Sequence, residues 1–80
     1  MLNRGDLIEL DDNNKYFVAD IFMDLGNIYV TLVNEADFTK LKFATLVNDT
    51  VVEIQNPNTL EHVIRKANDN LNKKNLLDNF

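Results

Sequence analysis

Eighty residues, 45% of them hydrophobic and 26% charged, describe one small folded domain that buries roughly 60–65% of its unfolded surface. The absence of cysteine excludes disulfides and thiolate zinc sites, and no apolar run approaches the roughly 18 residues that span a bilayer. The net charge of −5 is unevenly spread: residues 1–56 hold ten acids and four bases, a net −6 that repels phosphate backbones, whereas residues 57–80 hold three acids and four bases, a net +1.

The chain begins MLNRGDLIEL, without the apolar stretch and small-residue cleavage site of a secretory signal, and a cytoplasmic protein is expected. The first 55 residues then read as strands. Ile8 and Leu10 alternate with Leu7 and Glu9. From Lys15 to Asp24, Phe17, Ala19, Ile21 and Met23 alternate with Tyr16, Val18, Asp20 and Phe22, so both faces are largely apolar. Asn27 to Val33 sets Ile28, Val30 and Leu32 against Tyr29, Thr31 and Val33. Thr39 to Val47 sets Leu41, Phe43, Thr45 and Val47 against Lys40, Lys42, Ala44 and Leu46, and the Lys-x-Lys side is expected to face solvent. Val51 to Ile54 is a short last strand. Branched and aromatic residues dominate these runs, as a pleated, packed surface requires.

The connections carry turn chemistry. Leu25-Gly26-Asn27 offers a glycine for positive φ, Asn34 to Asp37 is a polar link, and Asn48-Asp49 supplies residues that tolerate a left-handed hairpin. After Ile54 the period changes. Pro57 suits a first helical turn, and Asn58 with Glu61 resembles a capping box. Leu60, Val63, Ile64, Ala67 and Leu71 fall within a stripe of roughly 80° on a helical wheel, whereas Leu76, Leu77 and Phe80 lie roughly 100–200° away from it. The sequence therefore predicts a single, mainly β domain with a C-terminal helix. Its closed form is a small five-stranded SH3-like barrel, and an open α+β antiparallel sheet with the helix on one face is the alternative. Residues 1–55 supply the barrel, 57–72 the helix, and 73–80 a tail or an extension of that helix.

Asp11-Asp12-Asn13-Asn14 invites a cation-loop reading. A calcium loop needs oxygen ligands at alternate positions, a central glycine and a terminal bidentate acid. Here Lys15, Phe17 and Ala19 follow Asp11 and Asn13, no glycine lies at the middle, and Phe22 occupies the twelfth place. The run reads instead as a hairpin connection in which Asp and Asn bond their own backbone.

Chemistry is sparse. Serine and cysteine are both missing, which removes the two commonest nucleophiles. His62 is the single histidine and has only Glu61 and Asp20 as candidate partners. Gly5 and Gly26 are the only glycines, too few for a phosphate-cradling loop. The paired carboxylates Asp11-Asp12 and Glu35/Asp37 sit in predicted turns, where acid–base catalysis does not find the differing, partly buried environments it needs. Arg65, Lys66, Lys73 and Lys74 lack interleaved aromatics and read as a solvated helix face. Tyr16, Tyr29, Phe17, Phe22, Phe38 and Phe43 read as core. The expectation is a protein that is not an enzyme and carries no cofactor and no metal.

The run Gly5-Asp6-x-Ile8-x-Leu10-Asp11-Asp12, Lys15-Tyr16-x-Val18 and Gly26-Asn27-x-Tyr29-Val30-x-Leu32-Val33 resembles small acidic uncharacterised β-barrel proteins of low-GC Gram-positive bacteria and their phages and mobile elements. That resemblance spans most of the chain and implies a cytoplasmic accessory protein, with no catalytic residues to carry over.

The expected function is thus a non-catalytic protein-interaction module whose partner is another protein, possibly a second copy in a homodimer. The candidate contact residues are the off-stripe Leu76, Leu77 and Phe80 and the acids Asp11, Asp12, Glu35 and Asp37. One alternative is an acidic, phage- or mobile-element-encoded inhibitor that occupies the nucleic-acid site of a host enzyme, its charge standing in for phosphate. Another is a nucleic-acid-binding small barrel, which the −6 field disfavours.

Overall fold

A computed structural model describes residues 2–78, with side chains described over residues 2–70. Five antiparallel strands run in chain order, β1 (Leu7–Glu9), β2 (Lys15–Asp24), β3 (Asn27–Asn34), β4 (Leu41–Val47) and β5 (Thr50–Glu53), followed by helix α1 (Pro57–Asp78). Each strand pairs with its neighbours in sequence, giving the order β1-β2-β3-β4-β5. The sheet curls into a half-barrel, mainly β with one C-terminal helix. It does not close, since β1 and β5 are its two edges. No helix among the described residues is long and apolar enough to cross a membrane.

The inner, concave face holds the core. Tyr16, Val18, Val30, Leu32 and Ala44 are buried there, with Leu2, Ile8, Leu10, Ile21, Leu46 and Val51 packed against them. Fully burying a side chain such as Leu32 or Val30 contributes about 1.5–3 kcal/mol each, so this small cluster supplies most of the sheet's cohesion. The outer face carries Phe17, Asp20, Phe22, Tyr29, Thr31, Val33, Phe43 and Thr45, as their pairing in register requires. Helix α1 lies over part of it. Val63 and Ala67 are buried, Asn70 bonds Asp20, and the Phe22 and Tyr29 rings meet at 5.7 Å beneath.

Strict alternation along β2 is broken. Val18 faces Leu32 and Asp20 faces Thr31, so Ala19 is an extra, exposed residue without a partner in β3. Such a bulge bends the strand and sharpens its twist. It also exchanges the faces of everything after it. Ile21 joins Tyr16 and Val18 inside, while Asp20 and Phe22 turn outward beneath the helix. Simple alternation, which grouped Tyr16 and Val18 with Asp20 and Phe22, misses this.

Other expectations are corrected. The Lys-x-Lys side of β4 is not solvated: Ala44 is fully buried on it, and Lys42 is held over the Tyr16 ring at 5.8 Å. Its opposite side carries the exposed Leu41 and Val47. Phe38, read as core, is 70% exposed in the β3–β4 link. The helix is capped by Asn56 rather than Asn58. The Asn56 Oδ1 accepts from the backbone N–H of Asn58 at 2.9 Å and of Thr59 at 3.3 Å, which makes Pro57 the first helical residue. Ile64 lies at the margin of the helix stripe and is exposed, because the sheet beneath admits only Val63 and Ala67 fully.

Candidate functional site

At the end of the sheet where β2 begins, the β1–β2 turn folds back over the concave face. Asn13 takes φ +64°, and the Asn14 N–H donates to Asp12 Oδ1 at 2.9 Å, the self-bonded turn that this composition favours. This orients the Asp12 carboxylate inward. Tyr16 O–H donates to Asp12 Oδ2 at 2.7 Å, and Lys42 Nζ approaches Asp12 Oδ2 at 3.2 Å and Glu53 Oε1 at 2.9 Å. Four residues from the first turn and three strands are thereby joined. The Tyr16 hydroxyl, then the Asn14 backbone N–H, hold the Asp12 carboxyl well below the usual carboxylate range. The same bond pushes the Tyr16 phenol up. Glu53 raises Lys42 most, desolvation opposes it, and Asp12 adds a lesser push upward. Every shift moves its group further from neutral pH. A nucleophilic lysine or a general base needs the opposite tuning, so this cluster is a staple across the open side of the half-barrel.

A second polar cluster ties α1 to the outer face. Asp20 is buried, receives Arg4 Nε at 2.9 Å and Asn70 Nδ2 at 2.7 Å, and so joins the N-terminal segment, β2 and the helix. His62 Nε2 lies 2.7 Å from Asp24 Oδ2, and Lys66 Nζ lies 3.9 Å from Asp24 Oδ1. The partner of His62 is therefore Asp24. Asp20 is committed to Arg4 and Asn70, and Glu61 bonds Arg65 at 2.8 Å. A cleft of about 200 Å³ opens beside this pair, lined by Phe22, Met23, Asp24, Lys66, Asp69 and Asn70. Its histidine–carboxylate pair has no hydroxyl or thiol among the lining residues to activate. Among the described residues, no three His, Cys, Asp or Glu side chains converge to hold a metal ion.

The third feature is apolar. On the outer face Leu7 pairs with Phe17, Phe17 with Val33, and Val33 with Leu41, one row running across four strands. The ends of the row, Leu7 and Leu41, are 44% and 52% exposed, and Phe17 and Val33 are half-buried between them. The described side-chain bonds of α1 fall further along β2, at Asp20 and Asp24, and the helix also comes against β4. Nothing in the alternation pattern distinguishes this row from the covered part of the same face. Only the register and the position of the helix do. At the far end of the sheet, exposed Met23, Leu25 and Val47 flank the two hairpin turns, beside a shallow groove of about 340 Å³.

The predicted contact acids share one end of the sheet, where the Glu35 N–H donates to the Lys15 carbonyl at 2.9 Å. They differ in what they meet there. Asp12 is bound by Tyr16 and Lys42. Asp37 accepts from the Thr39 N–H at 3.0 Å and from the Thr39 hydroxyl at 2.6 Å, and these bonds lower its carboxyl below the usual range. Asp11 and Glu35 are exposed. Leu76 and Leu77 fall within α1 by its backbone, but their side chains, and Phe80 altogether, lie outside the described residues. No protein-family model, curated protein or solved structure matches the chain.

Proposed function

We propose that this chain is a non-catalytic, cytoplasmic protein-interaction module of the accessory kind. The observation that carries the reading is the apolar row Leu7, Phe17, Val33 and Leu41, exposed on a domain whose polar clusters are spent on holding the fold. A contiguous apolar surface on a small protein marks a contact site more often than isolated exposed leucines do. The row lies on paired strands, so it presents a preorganised surface at little entropic cost. The resemblance to small acidic proteins of mobile elements fits an accessory role. The test is a double substitution, Leu7→Lys with Leu41→Lys. Both side chains are largely exposed, so the melting temperature stays close to that of the parent, while capture of the native partner from cytoplasm is lost. Unchanged capture by a folded double variant refutes the row as the contact surface.

One arrangement supports phosphate mimicry as the second reading, namely the gathering of Asp11, Glu35 and Asp37 at one end of the sheet. Mimicry of this kind gives binding to a basic enzyme that collapses as ionic strength rises. Affinity that stays flat from low to high salt removes it.

A further inference from the structure

We infer that the end of the sheet carrying the β2–β3 and β4–β5 turns is the contact surface of a twofold dimer, in which Leu25 of each copy seats in the groove between the two turns of the other. This surface is separate from the row on Leu7, Phe17, Val33 and Leu41 and does not depend on it.

Register gives the surface its floor. Met23 pairs with Ile28, Ile28 with Leu46, and Leu46 with Val51, an apolar row across four strands. Successive side chains on a strand point to opposite faces, so Met23 lies on the inner face while Asp24 turns outward to meet His62 of α1. The helix passes Asp24 at His62 and Asp20 at Asn70, and thus runs away from this end along the other face. Met23 is 70% exposed, and Ile28, Leu46 and Val51 are half-buried. Gly26, Asn27, Ile28, Leu46, Val47 and Asn48 are among the residues lining the adjoining groove of about 340 Å³.

Backbone strain singles out the projecting residue. Leu25 has φ +51° at the first position of a two-residue turn, a place that suits asparagine, and the β4–β5 turn does have Asn48 there. The Leu25 side chain is 87% exposed, so the protomer gains little from burying it. Strain of this kind is held where a contact or a function uses it. The turn that lifts Leu25 into solvent also supplies, through Gly26, one wall of the groove. A projection and a recess that adjoin in one patch are self-complementary: a twofold axis between two copies seats each leucine in the other's groove and leaves no open valence for further growth.

Charge favours a second copy at this place. Residues 21–30 and 45–52 hold two acids, Asp24 and Asp49, and no base, and Asp24 is held by His62. The rest of residues 1–56 holds eight acids and four bases. Two chains of net charge −5 repel each other, and they approach at least cost through this charge-poor end.

The experiment measures solution mass by sedimentation of the full chain. The concentration series runs to about millimolar, because a contact of this size stands at the low end of specific interfaces. The parent is expected to approach twice the 9.2 kDa chain mass. Leu25→Asn is expected to weaken association on the order of tenfold or more, as loss of a central contact residue does. Its urea midpoint, measured at about micromolar concentration on the monomer, is expected to be no lower than the parent's. Association lost while stability is kept separates a contact role from a folding role. Leu7→Lys with Leu41→Lys is expected to associate as the parent does. Higher ionic strength is expected to preserve or strengthen the dimer, since it screens like charges. The chain has no cysteine, so Thr50→Cys places a single thiol beside the turns and Asp11→Cys places one at the opposite end of the sheet, both at exposed positions. A short bismaleimide is expected to join copies through position 50 and not through position 11. A parent that stays monomeric to about millimolar concentration overturns the dimer. So does a Leu25→Asn variant that associates like the parent, association lost on substituting Leu7 and Leu41, weakening by salt, or cross-linking that favours position 11.

Discussion

Leu25 occupies a backbone conformation that leucine avoids, and replacing it is expected to stabilise the protein. The β2–β3 hairpin closes with Asp24 facing Asn27, so Leu25-Gly26 is a two-residue loop. Both central residues have positive φ, +51° at Leu25 and +80° at Gly26, the pattern for which Asn-Gly is the favoured pair. A left-handed conformation costs a residue with a branched side chain about 1–2 kcal/mol, and asparagine recovers much of that through local hydrogen bonding. The compensating loss is small. Leu25 is 87% exposed, so only a small part of the about 1.5–3 kcal/mol of a fully buried leucine is at stake, a few tenths at most. Leu25→Asn should therefore raise stability by about 0.5–1.5 kcal/mol, several degrees in melting temperature for a domain of this size.

The β4–β5 hairpin provides an internal control. Val47 faces Thr50 across Asn48-Asp49, whose φ values of +51° and +66° repeat the same geometry with asparagine already at the first position. Asn48→Leu should cost about what Leu25→Asn gains. Urea titrations of both variants, with unchanged slopes, would give the two midpoints shifting in opposite directions. A neutral or destabilising Leu25→Asn refutes the reasoning, because it would mean that the leucine makes stabilising contacts in the native protein that outweigh its backbone strain.

The charge staple makes a pH prediction. Asp12 has a depressed folded-state pKa, so its contribution is present above the unfolded carboxylate value near 4 and is lost as pH falls through the lower folded value. Asp12→Asn should lower the melting temperature at neutral pH, and its deficit against the parent should shrink steadily below about pH 4. A deficit that stays constant on acidification contradicts the role of the ionised Asp12. At the buried Thr31, Oγ1 has no hydrogen-bond partner among the described residues. Thr31→Val keeps the shape and removes a desolvated hydroxyl, and a gain of about 1 kcal/mol in chemical denaturation is expected. A loss would show that the hydroxyl is satisfied in solution.

Local rules reached most of this architecture. The strand runs, the two hairpin turns and the helix start all follow from period and turn chemistry, because each is decided by residues within about four positions of one another. What escaped depends on register. The bulge at Ala19 leaves no mark in composition, since alanine is tolerated on either side of it, yet it decides whether Asp20 faces the core or the helix. The Lys-x-Lys side of β4 misled for a related reason. Lysine is normally solvated, and only the curl of the sheet brings Asp12 and Glu53 within reach of Lys42, where its aliphatic stem covers the core and its ammonium is held by two carboxylates. His62 found Asp24 because β2 and the helix run past each other, which no spacing in the sequence encodes. The apolar row was equally hidden. Its four members come from four strands, and each taken singly is an ordinary strand residue.

The acidic excess looks different once each carboxylate is placed. Asp12, Glu53, Asp20 and Asp24 are all paired with cations of the same chain, and Asp37 with the hydroxyl and N–H of Thr39. Asp12 ties the β1–β2 turn to β4, and Asp20 and Asp24 tie β2 to the helix, while Glu53 bonds Lys42 on the neighbouring strand and Asp37 holds its own loop. A barrel that does not close needs such links, because β1 and β5 leave the half-barrel without the hydrogen bonds that would complete it. The exposed Glu9, Asp11 and Glu35 belong to none of the described ion pairs and lie at one end of the sheet, where the exposed Lys15 stands opposite Glu9. Surface charges of this kind contribute little to stability and act chiefly on the encounter with a partner.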